Sequence, residues 1–355
     1  MGNVGRGGVF VTGATGFVGV NLVAHLARAG VPVVAWDRAP LPPGFLAALG
    51  DAAGRVQVET GDLTDREGVE TAISVAVAAG YGRVVHAGAV TPTPERERAD
   101  PVAVVAVNLM GAVHVLEAAK RAGAARVVVV SSDAVYGPPA DADALTPVTE
   151  DAPTQATGLY ARCKVAAEEL ARYYHETHGL SVAAARLGAV YGPWERITAA
   201  RGRLSAVAAV VAAARMAQSV PTGQMHAPLI VHGAARRRDW VHAADVADAL
   251  ARLTFAPRLT WDTYNVGSGR AEPLRTALDA ARVLPGFAWA EGAMTEAAVA
   301  IAPAGARAPL ALARLAADTG YVPRYTFAAG IATLLTGDET DASLPDGSGA
   351  ARNRE

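Results

Sequence analysis

Residues 9–19 read VFVTGATGFVG, and the fold follows from how this run is parsed. Val9–Val11 is a short apolar strand. Past the turn, Val18, Leu22 and Leu26 recur at helical spacing over a helix Phe17–Ala29, which Gly30 ends. The connection Thr12–Gly19 is rich in glycine, which allows a tight bend and a close approach of backbone to phosphate. The helix start adds free N–H groups and the positive end of a dipole. The candidate contacts here are Gly13, Thr15, Gly16, Phe17, Val18 and Gly19. Any strand-to-helix turn can carry glycine, so the reading leans on the second strand. Asp37 closes that strand, Val33–Trp36, 18 residues after Gly19. A carboxylate there accepts both ribose hydroxyls of a dinucleotide and repels a 2′-phosphate, which favours NAD over NADP. Arg38, beside it, is suited to pair with that phosphate and keeps NADP as the alternative.

Working outward, a third strand, Val56–Val58, leads to Gly61-Asp62-Leu63. A fourth, Val84–His86, leads to Ala87-Gly88-Ala89. Then come a long helix Asp100–Ala122, a strand Arg126–Val130, a helix Gly158–His178 and a sixth strand Val182–Arg186. Strands alternating with helices argue for a parallel sheet covered on both faces. The fold class is therefore α/β, a doubly wound (Rossmann) parallel sheet with a smaller C-terminal substrate-binding lobe. Its ligands are expected at the carboxyl ends of the strands. Residues 1–192 (core 9–192) are read as the dinucleotide-binding domain. After Gly192 the alternation breaks. An alanine-rich helix is followed by short strands at Ile230–Val231 and Tyr264–Val266, with a helix Ala243–Leu253 between them and a later helix Leu310–Asp318. Residues 193–336 are read as mainly the substrate lobe, with the chain free to cross back. Ala302–Gly305 reads as loop. Met1–Gly8 is expected to fray and residues 337–355 to form a disordered polar tail.

Composition bounds the partners. The 355 residues are 51% hydrophobic, with a dispersed net charge of −2. No basic stripe suggests nucleic acid. The one cysteine, Cys163, rules out an intramolecular disulfide framework and reads as a packed small residue. With no signal-peptide pattern at the start, the expected compartment is the cytoplasm. The apolar run Val207–Val211 is far short of a membrane span. The eight histidines show no metal-ligand spacing, so no metal is expected.

Tyr160 and Lys164 stand four apart in YARCK, on one helical face. An ammonium there favours a phenolate that a free tyrosine reaches only near pH ~10. Ser132 precedes Tyr160 by 28 residues, in SSDAVYG. With the glycine turn, the three point to hydride chemistry at a carbinol carbon. Asp62 and Leu63 are placed at the adenine end, although Asp62 can equally N-cap a helix Thr64–Ala79. Ala87, Gly88 and Ala89 let backbone lie against the cofactor. Asn108 sits mid-helix, an unfavourable place for asparagine, either at the cofactor site or tying helix to sheet.

The ordered motifs TGATGFVG, GDLTD, HAGA, NLMGAVHVLEAAK, SSDAVYG, YARCK, RLGAVYGPW and RRDWVHAADVADAL resemble the extended short-chain dehydrogenase/reductases of the NAD-dependent epimerase/dehydratase type, UDP-glucose 4-epimerase-like. A looser match covers Arg307–Ala332. The resemblance implies that Tyr160 exchanges a proton with a substrate oxygen and that Ser132 hydrogen-bonds the same oxygen. It implies that Lys164 binds the nicotinamide ribose and lowers the tyrosine's pKa. It also implies a homodimer through the two long helices, and substrate contacts at Thr91, Ser132, Arg238 and Arg307. Asp133 reads as a contact to a substrate hydroxyl or as a surface residue, and Trp194-Glu195-Arg196 as part of a lid at the substrate or, equally, as a hydrophobic anchor of the lobe. Arg238 matches a phosphate-contacting arginine, while Arg236 and Arg237 beside it also read as a solvated turn.

Two departures weaken a UDP-sugar assignment. Ala189 stands where many nucleotide-sugar members carry a diphosphate-binding asparagine, and Arg307-Ala308-Pro309-Leu310 replaces an arginine-x-glycine-aspartate. Asp133-Ala134 replaces the Asp-Glu pair of dehydratases, which disfavours water loss. The leading expectation is an epimerase acting on a nucleotide sugar by transient hydride transfer. The alternative is a net dehydrogenase or reductase of a sugar, sugar acid or other hydroxylated small molecule. A non-catalytic dinucleotide-binding protein is the remote third.

Overall fold

The structure, a computed structural model, describes residues 7–138, 145–218, 227–301 and 306–337. Residues 1–6 of the fraying start, the loop read at Ala302–Gly305 and the tail beyond 337 lie outside the described residues. In chain order the strands are β1 Val9–Thr12, β2 Val33–Asp37, β3 Val56–Thr60, β4 Arg83–His86, β5 Arg126–Ser132, β6 Val182–Leu187, β7 Ala189–Tyr191, β8 Leu229–His232, β9 Arg237–His242, β10 Thr263–Val266, β11 Ala271–Pro273, β12 Trp289–Glu291 and β13 Val299–Ala300. Seven of them form one sheet in the order β10-β6-β5-β4-β1-β2-β3, and every pairing in it is parallel. The central strands are buried on both faces, so they read as unbroken apolar runs such as VVVV in β5. Edge strand β3 is half-buried or exposed along its whole length instead.

Helices Phe17–Arg28 and Ala243–Phe255 cover one face through Leu22, Leu26, Val246 and Leu250. Arg66–Ala78, Gly111–Ala122 and Leu159–His178 cover the other through Ile73, Val115, Leu116 and Ala171. The residues after 192 divide between two bodies. Helix Ala243–Phe255 and β10 return to the large sheet, with β10 hydrogen-bonded alongside β6. The small sheets β11-β9-β7 and β12-β8-β13, with helices Ala206–Gln218, Arg275–Ala281 and Phe327–Thr336, enclose a separate core around Val207, Leu274 and Ile331.

Two local readings change. Asp65, not Asp62, N-caps the third-strand helix, its carboxylate accepting from Gly68 N at 3.1 Å. The long helix begins at Pro101 under an Asp100 cap and contains a π-helical segment, Ala106–Met110. Among the described residues one helix, Pro101–Ala122, is long and apolar enough to cross a membrane. Its inward residues Ala112, Val115, Leu116 and Ala119 pack on the sheet.

Candidate active site

The glycine turn leaves β1 at the carboxyl edge of the sheet, beside the loop that leaves β4. Gly13 has φ +66°, and a Cβ on it would stand 2.3 Å from Gly88 Cα. A Cβ on Gly19 would stand 2.1 Å from Gly13 O. The two loops therefore pack backbone to backbone, and Thr12 clasps them by accepting from Ala87 N at 3.1 Å and by its hydroxyl's 2.8 Å bond to His86 Nδ1. Gly16 caps helix Phe17–Arg28 with no side-chain hydrogen bond of its own. The helix start thus faces the cleft bare, as an anion site requires. At the end of β2 the Asp37 carboxylate accepts from Thr15 N at 3.1 Å and Ala39 N at 3.2 Å. These residues fit a dinucleotide: a phosphate cradle, a ribose carboxylate and an apolar slot walled by Trp36, Leu63 and Val107.

Arg38 lies along this slot, 3.6 Å from Asp62. Asp62 folds an Asx turn onto Thr64, whose amide and hydroxyl hold its carboxyl below the usual range. Ala87, Gly88 and Ala89 line the cavity. Asn108 does not, which corrects its assignment as a cofactor contact. Buried in the π segment, its amide donates to Val90 O and accepts from Val90 N, both at 2.9 Å. It staples the helix to the β4 loop, satisfying a polar group in a place where it would otherwise be orphaned.

A second cavity, of about 400 Å³, opens from the first along the glycine turn, sharing Thr15, Gly16, Ala87 and Ala89. Ser132, Tyr160 and Lys164 line it, as do Phe17, Val18 and Gly19. Ser132 ends β5, where its hydroxyl accepts from Ala134 N at 3.2 Å. Tyr160 stands in the first turn of helix Leu159–His178, which begins at Gly158 with no cap of its own. Glu97, from another helix, supplies the cap by accepting from Leu159 N at 3.1 Å and Tyr160 N at 2.9 Å. Burial pushes the Tyr160 phenol up to about 12, with Asp133's charge adding to the rise; a hydrogen bond from Ser132 and the charge of Arg201 pull it back. Lys164 donates to Val130 O at 2.7 Å and lies 5.8 Å from the Tyr160 ring centre. Burial lowers Lys164 itself to about 8, against the raising influence of Glu168.

Beneath this wall lies a buried polar layer. Glu168, one helical turn from Lys164, is 3% exposed. It pairs with Arg186 of β6 at 2.7 Å and accepts from the Ser131 hydroxyl. Arg186 continues to Tyr136 at 3.0 Å, and Tyr136 to Asn265 of β10 at 2.7 Å. His86, fully enclosed, is pushed down to about 3 by burial and by the Lys164 charge. Cys163 is buried, which raises its thiol.

At the far end of the cavity stand Asp133, Arg238 and Arg307, with Thr91 on the side wall. Arg307 Nε is 3.9 Å from Asp133, and Arg238 stacks over Trp240 at 5.6 Å. Burial lowers Arg238, against the pull of Asp133. The RRRD run is thereby resolved: Arg236 donates to Ile301 O and Arg237 to Ala271 O, and Arg238 alone of the three lines the cavity. Asp239 is a hub that sequence reasoning missed. Fully buried, it accepts from Ser268 N, Gly269 N and Leu310 N, pinning the segment that carries Arg307. Trp194 is not a cavity residue, correcting its assignment as a substrate contact. At φ +66° its ring sits edge-on to Phe45 at 5.4 Å and packs on the large core. Its neighbour Arg196 lines both cavities instead. The lid reading of Trp194-Glu195-Arg196 had included it without giving it a contact of its own.

Residues 9–267 match the NAD dependent epimerase/dehydratase family. Among curated proteins, the dTDP-glucose 4,6-dehydratase of Streptomyces niveus is 29% identical over 272 residues, covering 74% of this chain and 72% of that protein. The GDP-6-deoxy-D-mannose reductase of Pseudomonas aeruginosa is 29% identical over 272 residues, covering 76% and 78%. Among solved structures, MoeE5 in complex with UDP-glucuronic acid and NAD superposes with a TM-score of 0.69 at 26% identity, over 93% of this chain and 98% of that one. The UDP-glucose 4-epimerase of Thermus thermophilus in complex with NAD superposes with a TM-score of 0.68 at 26% identity, over 95% and 99%. With the glycine turn, the Asp37 carboxylate and the Ser132–Tyr160–Lys164 wall at one cleft, the chain belongs to the NAD dependent epimerase/dehydratase family of enzymes.

Proposed function

We propose that this enzyme is an NAD-dependent epimerase of a nucleotide sugar, with Tyr160 as its acid and base. The observation that carries the reading is that Ser132, Tyr160 and Lys164 line the same cavity as the dinucleotide turn. The relatives act on nucleotide sugars by their names, and two of the solved neighbours hold UDP-sugars. Bound NAD supplies a centre that takes up hydride and returns it. Ser132 holds the substrate oxygen. Tyr160 removes the hydroxyl proton on oxidation and gives it back on reduction. A buried phenol near 12 is set to donate; accepting requires the Ser132 bond and the positive charge on this wall. Lys164, fixed to Val130, positions the ribose. Asp133 accepts a neighbouring substrate hydroxyl, and Arg238 and Arg307 take the anionic part.

One observation favours a second reading, a net dehydrogenase or reductase. Ala189 lines the cavity and offers only a methyl group where a carboxamide would hold a diphosphate. The two separate in one assay on the protein as purified. Retained stoichiometric NAD with UDP-hexose interconverted and no net NADH supports the epimerase. Steady growth of the reduced-nicotinamide band on a sugar or sugar acid replaces it with the dehydrogenase.

We further propose a cytoplasmic homodimer. Val102 and Met110 on one long helix and Tyr173 on the other are exposed apolar residues on the face turned away from the sheet, suited to pack against a second copy.

A further inference from the structure

Residues 194–203 cross the mouth of the cleft as a strap. Trp194 anchors its start against Phe45. Buried Glu195 pairs with Arg201 at 2.6 Å and accepts from Ser205 N at 2.6 Å and Ser205 Oγ at 2.7 Å. Arg201 lies over the Phe17 ring at 5.5 Å. The middle of the strap is tied to the β4 loop and the helix beyond it, through Thr91 N to Ala200 O at 2.8 Å and through Arg96 to Ala199 O. Thr198 and Ala200 line both cavities together with residues of the glycine turn. Strap and glycine turn therefore border the same space.

Arg196 is the point where strap and turn meet. Its Nη2 donates to Thr15 O at 3.0 Å. Its Nη1 is buried and has no hydrogen-bond partner among the described residues. A guanidinium N–H left in that state is costly, and the fork geometry of arginine suits a phosphate oxygen. The nearby carboxylate, Asp37, is already engaged by the amides of Thr15 and Ala39. The helix start at Gly16, next to Thr15, is where backbone geometry calls for the anion.

We propose that Arg196 is a diphosphate-binding residue of the cofactor site, latching the strap over the dinucleotide so that the cofactor leaves only when the strap lifts. This holds whichever reaction the site performs.

The test is cofactor release from Arg196→Gln and Arg196→Lys proteins loaded with NADH, followed by nicotinamide fluorescence during a chase with excess NAD. Nucleotide retained through purification is measured by acid extraction. Loss of one charge-assisted hydrogen bond predicts release about 10- to 100-fold faster for Arg196→Gln, with less NAD retained and Arg196→Lys intermediate. Release at the wild-type rate in both variants overturns the proposal. So does a weakened affinity for UDP-sugar with cofactor release unchanged, which would assign Arg196 to the substrate. If Arg196→Gln fails to fold, Arg196→Lys decides by the same rate.

Discussion

Lys164 Nζ donates to the carbonyl of Val130 at 2.7 Å and stands 5.8 Å from the centre of the Tyr160 ring. The ammonium is thereby fixed to the strand that ends in Ser132, and its distance to the phenol is set by the sheet rather than by the helix alone. Burial dominates the phenol and drives it to about 12. The groups that ease its ionisation are Ser132 and Arg201.

Replacing Tyr160 by Phe removes the phenol we propose as proton carrier and little else. Turnover is expected to fall about 10²–10⁴-fold, while the NAD content of the purified protein stays unchanged. A near-normal rate would refute the acid–base role.

Glu168→Gln tests the layer below. The carboxylate raises Lys164, so its loss lets burial press the ammonium further below about 8. The alkaline limb of the kcat profile, where Lys164 loses its charge, should move to lower pH. Glu168→Ala also strands the buried Arg186 and is expected to cost about 3–5 kcal/mol in urea unfolding. An unshifted limb in the Gln variant would separate Glu168 from the lysine.

On our reading that the Asp37 carboxylate serves ribose hydroxyls and opposes a 2′-phosphate, Asp37→Ala should weaken NAD more than NADP. Fluorescence titration with both reduced nucleotides reads the ratio. If the ratio is unchanged, Asp37 does not touch the ribose.

His86 makes stability depend on pH. Its folded value, about 3, lies below the ordinary 6.5, so the unfolded chain takes the proton first. Its contribution is complete above pH ~6.5 and declines as pH falls toward ~3, by about 1.4 kcal/mol per pH unit. His242, held near 4 chiefly by burial, adds the same sign. Urea unfolding across this window should show a shallower slope for His86→Gln. An identical slope would mean that His86 does not titrate on unfolding.

Much of the fold was legible because its signals are local. Strands β1 to β6 stand where apolar runs end in glycine or a carboxylate. The turn Thr12–Gly19 needs only its own residues to bend. Tyr160 and Lys164 share a face because helical geometry repeats every 3.6 residues. The elements after Gly192 were harder, since a four-residue strand such as β10 has no intrinsic address. The sequence located it, but the parallel partner β6 lies some 80 residues earlier. Trp194 and Arg196 show the same limit within one stretch. Both were in view, and the large ring drew the substrate assignment, yet the left-handed turn at Trp194 sends the ring to the core and the guanidinium to the cleft.

The succession of strands and helices and the glycine turn were written in the linear chain, because short-range sterics and hydrophobic period suffice to specify them. Only the folded molecule decided that Glu97 caps the helix of Tyr160, that Asn108 staples a loop to its helix, that burial raises the Tyr160 phenol, and that a strap brings Arg196 against the glycine turn. Each of these depends on groups brought together from distant segments, and on desolvation, which belongs to the packed interior and not to any residue's neighbours in sequence.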